Sequence, residues 1–178
     1  MSADPITITS LSADDLVRHL PELAALLRAC VHDGASVGFV MPYSVDDSEA
    51  YWHDNVLPSL RAGALMLLVA RQGDAIAGTV QLDCDTMPNQ RHRAEVRKLL
   101  VHPDSRRQGI ARAMMTELEC HAHRLQRRLL TLDTRTGDHV EPLYVALGYR
   151  TAGVIPGYAR ASHDGERFDA TTIMYKSL

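Results

Sequence analysis

The chain has 178 residues, 46% of them hydrophobic, and a formal charge of −3. At about 100–200 residues per domain this is one globular unit, so residues 1–178 are read as a single domain with a core of its own. The charge argues against a nucleic-acid binder, and three cysteines without a C-x-x-C pair (Cys30, Cys84, Cys120) exclude a disulfide or zinc framework.

Met1-Ser2-Ala3-Asp4-Pro5 carries no charged-then-apolar leader, and no apolar run reaches the roughly 18–20 residues of a membrane span. A cytoplasmic protein that binds neither membrane nor nucleic acid is expected. Ile6 to Thr9 alternates as a first strand, and Ser12 opens a helix that Leu16, Leu20, Leu23, Leu27 and Cys30 carry to about His32. His32 to Phe39 is a loop of small residues, suited to close approach by a ligand. A second helix is predicted over Asp46 to Arg61. Strands follow at 65–70, 75–83 and 93–101, with turns at 71–74 and 87–90 between them. After a long helix come a strand at 129–134, a short helix at 140–147 closed by Gly148, and strands at 151–155 and 171–176. The order is mixed α/β, with antiparallel hairpins before a parallel crossover.

The most informative segment joins Glu95–Pro103 to Arg106-Arg107-Gln108-Gly109-Ile110-Ala111. A strand ends at a proline, and a basic, glycine-bearing turn opens into a helix with Ile110, Met114, Leu118, Ala122 and Leu125 on one stripe. Free backbone N–H groups at the positive end of a helix dipole suit a diphosphate. Gly109 admits close approach, Ala111 keeps bulk away, and Arg106, Arg107 and Arg112 add charge. A P-loop would need Lys then Ser or Thr after its glycines. A dinucleotide fingerprint would need more glycines.

The segment resembles the Arg/Gln-x-x-Gly-x-Gly/Ala signature of the GNAT superfamily of N-acetyltransferases, and Leu99-Leu100-Val101-His102-Pro103 resembles that family's fourth strand and its exit. The resemblance implies a GNAT acyltransferase fold: a mixed, mostly antiparallel sheet of about seven strands flanked by about four helices. It also implies acetyl-CoA as cosubstrate. Its pantetheine arm would lie along Leu99, Leu100 and Val101, and its pyrophosphate on Arg106, Arg107, Gln108, Gly109, Ile110, Ala111 and Arg112. Gly34–Phe39, Ala94–Leu99, Leu132-Asp133-Thr134 and Pro156-Gly157-Tyr158 further resemble the tabtoxin-resistance acetyltransferases, which acetylate an amine of a β-lactam amino-acid toxin.

Acetyl transfer to an amine requires a proton acceptor for the ammonium and a donor for the departing thiolate, with no covalent intermediate. Leu143-Tyr144-Val145-Ala146-Leu147-Gly148-Tyr149 resembles the family's Leu-Tyr-x-x-Leu-Gly-Phe/Tyr motif, which implies Tyr144 as general acid. Tyr144 as a packing aromatic is the competing reading. An Asn that the family often carries a turn or two earlier has no counterpart in Gly137-Asp138-His139. Glu95 and Asp133 are the base candidates if their strands are parallel neighbours. A Glu95 salt bridge to Arg93 or Arg97, and an Asp133 cap with Thr134 and Thr136, are the bland alternatives. His32, Phe39, Arg97 and Tyr158 are candidate acceptor-binding residues, with Tyr43 and Trp52 as further walls. His121 and His123, with Cys120 nearby on the same helix, lack a third ligand at sensible spacing, so no metal is expected. The expected activity is acetylation of a small amino-acid-like amine by a monomer or homodimer. A GNAT enzyme acting on protein or peptide amines and a non-catalytic acyl-CoA sensor are the alternatives.

Overall fold

The computed structural model describes residues 5–178, so the leader reading at Met1–Asp4 lies outside the described residues. In chain order the elements are β1 (Ile6–Leu11), α1 (Ala13–Arg18), α2 (Leu20–His32), α3 (Val45–Ala50), α4 (Leu57–Arg61), β2 (Leu65–Gln72), β3 (Ala75–Asp83), β4 (Arg93–Val101), α5 (Ile110–Arg124), β5 (Leu129–Arg135), α6 (Glu141–Ala146), β6 (Arg150–Arg160) and β7 (Phe168–Ser177). The seven strands form one sheet in the order β1-β2-β3-β4-β5-β7-β6. Every pairing is antiparallel except β4 with β5, the crossover that α5 makes. This is the expected mixed α/β architecture. Among the described residues no helix is long and apolar enough to cross a membrane.

Two cores flank the sheet. Leu16, Leu23, Leu27, Trp52 and Val56 from the first helices pack against Leu67, Val69 and Leu100 on one face. Ile110, Met114, Leu118 and Ala122 pack against Leu68, Val80, Leu82, Val96, Leu130 and Leu132 on the other. Each large side chain so enclosed contributes about 1.5–3 kcal/mol. Trp52 at 0% exposure and Tyr43 at 6% are core residues, which removes both as walls of an acceptor pocket.

Prolines account for two departures from the sequence reading. The helix expected through 14–32 breaks at His19 (φ −102°, ψ 15°) because Pro21 has no N–H and its ring crowds the carbonyl four residues back. Residues 45–61 stay helical, as predicted, but Tyr51–Val56 widen into a π-helical turn. There Leu57 N–H bonds to Trp52 C=O, and Pro58 leaves the regular ladder one donor short. The stripe on α5 also ends early. Leu125 lies past the helix, 46% exposed, because Gln126 takes a left-handed φ of 58° and the chain turns away. The last strands outrun their predicted limits, since β6 carries Pro156 and Gly157 across a register shift between Ile155 and Ala159. An edge strand tolerates such a proline.

Candidate functional site

β4 and β5 pair over only three positions, Arg93–Leu129, Ala94–Leu130 and Glu95–Thr131. Beyond them β4 stays on β3 and β5 stays on β7, so the two strands part and their facing edges are left free. Leu99, Leu100 and Val101 on one side and Asp133, Thr134 and Arg135 on the other line a cleft of about 730 Å³. Its far wall is the turn into α5, its roof is the loop Asp33–Val37, and Tyr144 of α6 lines it together with Asp133.

The turn has the form of an anion cradle. Arg107 (φ 62°) and Gly109 (φ 80°) both take left-handed conformations, and the first backbone bond of α5 runs from Ala113 N–H to Gly109 C=O. Among the described residues the N–H groups of Arg107 through Arg112 find no acceptor. Six consecutive unpaired donors at a helix N-terminus suit a diphosphate. A Cβ on Gly109 would meet nothing within 4 Å, so the space in front of it is open.

The arginines divide. The Arg106 guanidinium is paired with Asp33, tying the loop after α2 to the turn. Arg107 and Arg112 line the cleft and have no ion pair among the described residues. Gln108 leaves the lining, where its side-chain oxygen accepts from Gln72 Nε2 at 2.9 Å. The remaining cofactor candidates, Leu99, Leu100, Val101, Arg106, Arg107, Gly109, Ile110, Ala111 and Arg112, all border the cleft.

Glu95 and Asp133 lie on the sheet face opposite Val96, Leu130 and Leu132, which point into the α5 core. Neither bland alternative holds for them. Arg93 donates to Gln90 and Thr131, and Arg97 Nη1 donates to Asp83 at 2.7 Å, so Glu95 has no ion pair among the described residues. Asp133 accepts from Thr171 Oγ1 at 3.2 Å instead of capping a turn with Thr134 or Thr136. Tyr144 is buried, its ring 5.8 Å edge-on from Tyr149. Burial, with the Asp138 and Asp133 charges nearby, pushes its phenol well above the usual range and keeps it protonated.

The acceptor candidates scatter. Phe39 stacks near Tyr43 and Tyr51, with ring centroids 4.8 and 5.2 Å away. His32 is held by a 2.8 Å contact between Nε2 and the Tyr43 carbonyl. Tyr158 is 54% exposed on β6, two strands away from β5, and does not line the cleft.

Sequence reasoning missed three features. Arg135 and Asp138 form a 2.8 Å ion pair in the cleft wall, and Arg135 also donates to Gly34 C=O at 3.2 Å. The Cys30 thiol borders the cleft, and burial raises it to about 11, which favours the protonated thiol over the thiolate. Lys98 (φ 50°) occupies a β-bulge and reaches the rings of Phe39 and Tyr51, 5.5 and 5.6 Å from their centroids. Burial and the adjacent Arg97 lower its ammonium to about 8, against the pull of Asp133 and Glu95. Only its positive φ and the small Gly38 beside it mark it out, and neither is visible without the fold.

A family model for the acetyltransferase (GNAT) domain matches residues 63–151, the stretch from β2 through the cradle to the start of β6. Solved structures share the fold over nearly the whole chain. A ribosomal-protein-alanine N-acetyltransferase from Brucella melitensis is 19% identical with a TM-score of 0.77, covering 97% of this chain and 99% of its own. YncA from Salmonella typhimurium, solved with its cofactor acetyl-CoA, is 15% identical with a TM-score of 0.76, covering 97% and 94%. A protein assigned as a phosphinothricin N-acetyltransferase is 18% identical with a TM-score of 0.75, covering 98% and 99%.

Proposed function

Because this chain belongs to the GNAT acetyltransferase family, we propose that it transfers the acetyl group of acetyl-CoA directly to the amine of a small, amino-acid-like acceptor, of the class that includes tabtoxinine-β-lactam. The observation that carries this reading is the pairing of six free amide donors at the α5 N-terminus with a cleft that opens where β4 and β5 part. The residues fit the cosubstrate. The N–H groups of Arg107–Arg112 would hold the diphosphate, with Arg107 and Arg112 beside it. The free edge of Leu99–Val101 would pair with the amides of the pantetheine arm. When bound, acetyl-CoA supplies an already activated thioester carbonyl.

The chain's own groups supply the rest. Glu95 and Asp133 attract a cationic amine and accept its proton, directly or through water. Tyr144, held protonated in the cleft wall, is the group we assign to donate to the departing sulfur. Confinement between the parted strands aligns amine and carbonyl, and that alignment provides much of the rate. An amino-acid-like acceptor also agrees with the phosphinothricin-assigned relative and with the tabtoxin-resistance motifs. Incubation with acetyl-CoA and a panel of amino acids, tabtoxinine-β-lactam and N-terminal peptides tests the reading by thiol release. Turnover on the small acceptors is expected. Turnover on peptides alone would transfer the activity to protein amines.

A further inference from the structure

β4 does not alternate regularly. Between Thr79–Leu100 and Gln81–Arg97 it carries one residue more than β3, and the bulge falls on Lys98. Arg97 and Lys98, neighbours in sequence, therefore both face the α1–α4 side, Arg97 toward Asp83 and Lys98 over Phe39 and Tyr51. Leu99 then packs on the α5 side and Leu100 on the other. A left-handed φ on a residue with a side chain is strained, and the buried Thr79 hydroxyl donates to the Lys98 carbonyl at 3.4 Å to hold it.

The consequence is an ammonium without a mate. Asp83 is taken by Arg97, and among the described residues Lys98 has neither a hydrogen-bond acceptor nor a carboxylate within 4.0 Å. Gly38 lies beside it, since a Cβ there would come into ordinary contact, 3.6 Å, with Lys98 Nζ. The same sheet face holds Glu95, also unpaired, and Asp133. One free cation and two carboxylates on one face complement a molecule that carries both an amine and an acid.

We propose that Lys98 is a specificity-determining residue: its ammonium anchors a carboxylate of the acceptor while the acceptor's amine is drawn to Glu95 and Asp133. This deepens the proposed function and rests on it. The bulge places the anchor, the rings of Phe39 and Tyr51 steer it, and an incoming carboxylate gives the half-buried charge the partner it lacks.

The test is thiol-release kinetics of the intact protein with matched L-amino acids and their amides, for wild type, Lys98→Met and Lys98→Arg. Acetyl-CoA affinity serves as the folding control. Wild type is expected to prefer the acids. Lys98→Met should raise KM for the acids about 10- to 100-fold, the worth of a charge-assisted bond, with kcat little changed and the amides unaffected. Lys98→Arg should keep part of the preference. Equal losses for acids and amides in Lys98→Met would overturn the anchor. So would a wild type that treats acids and amides alike, a comparison that stands even if Lys98→Met does not fold. Thiol release with neither set would overturn the acetylation of small amines, and the anchor with it.

Discussion

Glu95 and Thr131 are the last residues at which β4 and β5 pair, and the sheet opens immediately beyond them. The base candidate Glu95 thus closes the paired segment just before the opening and does not itself line the cleft, which Leu99–Val101 and Asp133 border on its two edges. A strand pair that separates leaves backbone donors and acceptors free inside the protein. The cleft is built from that loss of pairing.

If Glu95 and Asp133 accept the amine proton, Glu95→Gln and Asp133→Asn should each lower kcat by about 10²–10⁴-fold, the usual reach of a positioned base. Acetyl-CoA affinity should stay within about threefold of wild type, because neither side chain belongs to the cradle. Steady-state kinetics with calorimetry checks both, and unchanged turnover in both variants would remove the carboxylates from the mechanism.

Tyr144→Phe keeps the ring and its contact with Tyr149 while deleting the hydroxyl. A fall in kcat of about 100-fold, with thermal stability little altered, is the expected outcome. A drop in stability without a drop in turnover would make Tyr144 a packing residue.

Burial raises the phenols of Tyr43, Tyr51, Tyr144 and Tyr149 above their ordinary value of 10.0. The folded chain then keeps protons that the unfolded chain releases, so stability is intact below about pH 10 and declines as pH rises past it. Absorbance of phenolate should grow in two phases, the second coinciding with loss of far-ultraviolet circular dichroism. A single phase completed while the fold persists would contradict this.

Gly78 on β3 sits against the β4 backbone and beneath Ile110 and Met114 of α5. A Cβ there would lie 2.7 Å from the Leu100 carbonyl oxygen and 2.8 Å from Met114 Cε. Backbone cannot yield cheaply, so Gly78→Ala should cost about 1–3 kcal/mol and lower Tm by roughly 2–10 °C. An unchanged melting curve would mean that the β4 backbone as well as the helix side chains can give way.

The cradle was legible because its cause is local: a strand, a proline, a left-handed glycine and an apolar stripe follow one another within thirty residues. The parallel β4–β5 contact followed from the helix between them. What stayed hidden depends on packing or on phase. Pro21 and Pro58 are both visible, yet one breaks a helix and the other widens a turn around the buried Trp52. Simple alternation sends Lys98 to the face opposite Arg97, and only the bulge against β3 reverses it. Asp33, which takes Arg106 out of the free charge, lies 73 residues away in the chain.

Calorimetric titration of acetyl-CoA into wild type, Gly109→Ala and Gly109→Glu bears most directly on the cradle. Gly109→Ala carries only the strain of a side chain at φ 80°, whereas Gly109→Glu adds negative charge in the diphosphate seat. Tight binding by wild type, modest weakening by alanine and a further loss of at least about 100-fold by glutamate are predicted. Equal affinities for the alanine and glutamate variants, or no binding by wild type, would contradict a diphosphate held on the amides of Arg107–Arg112.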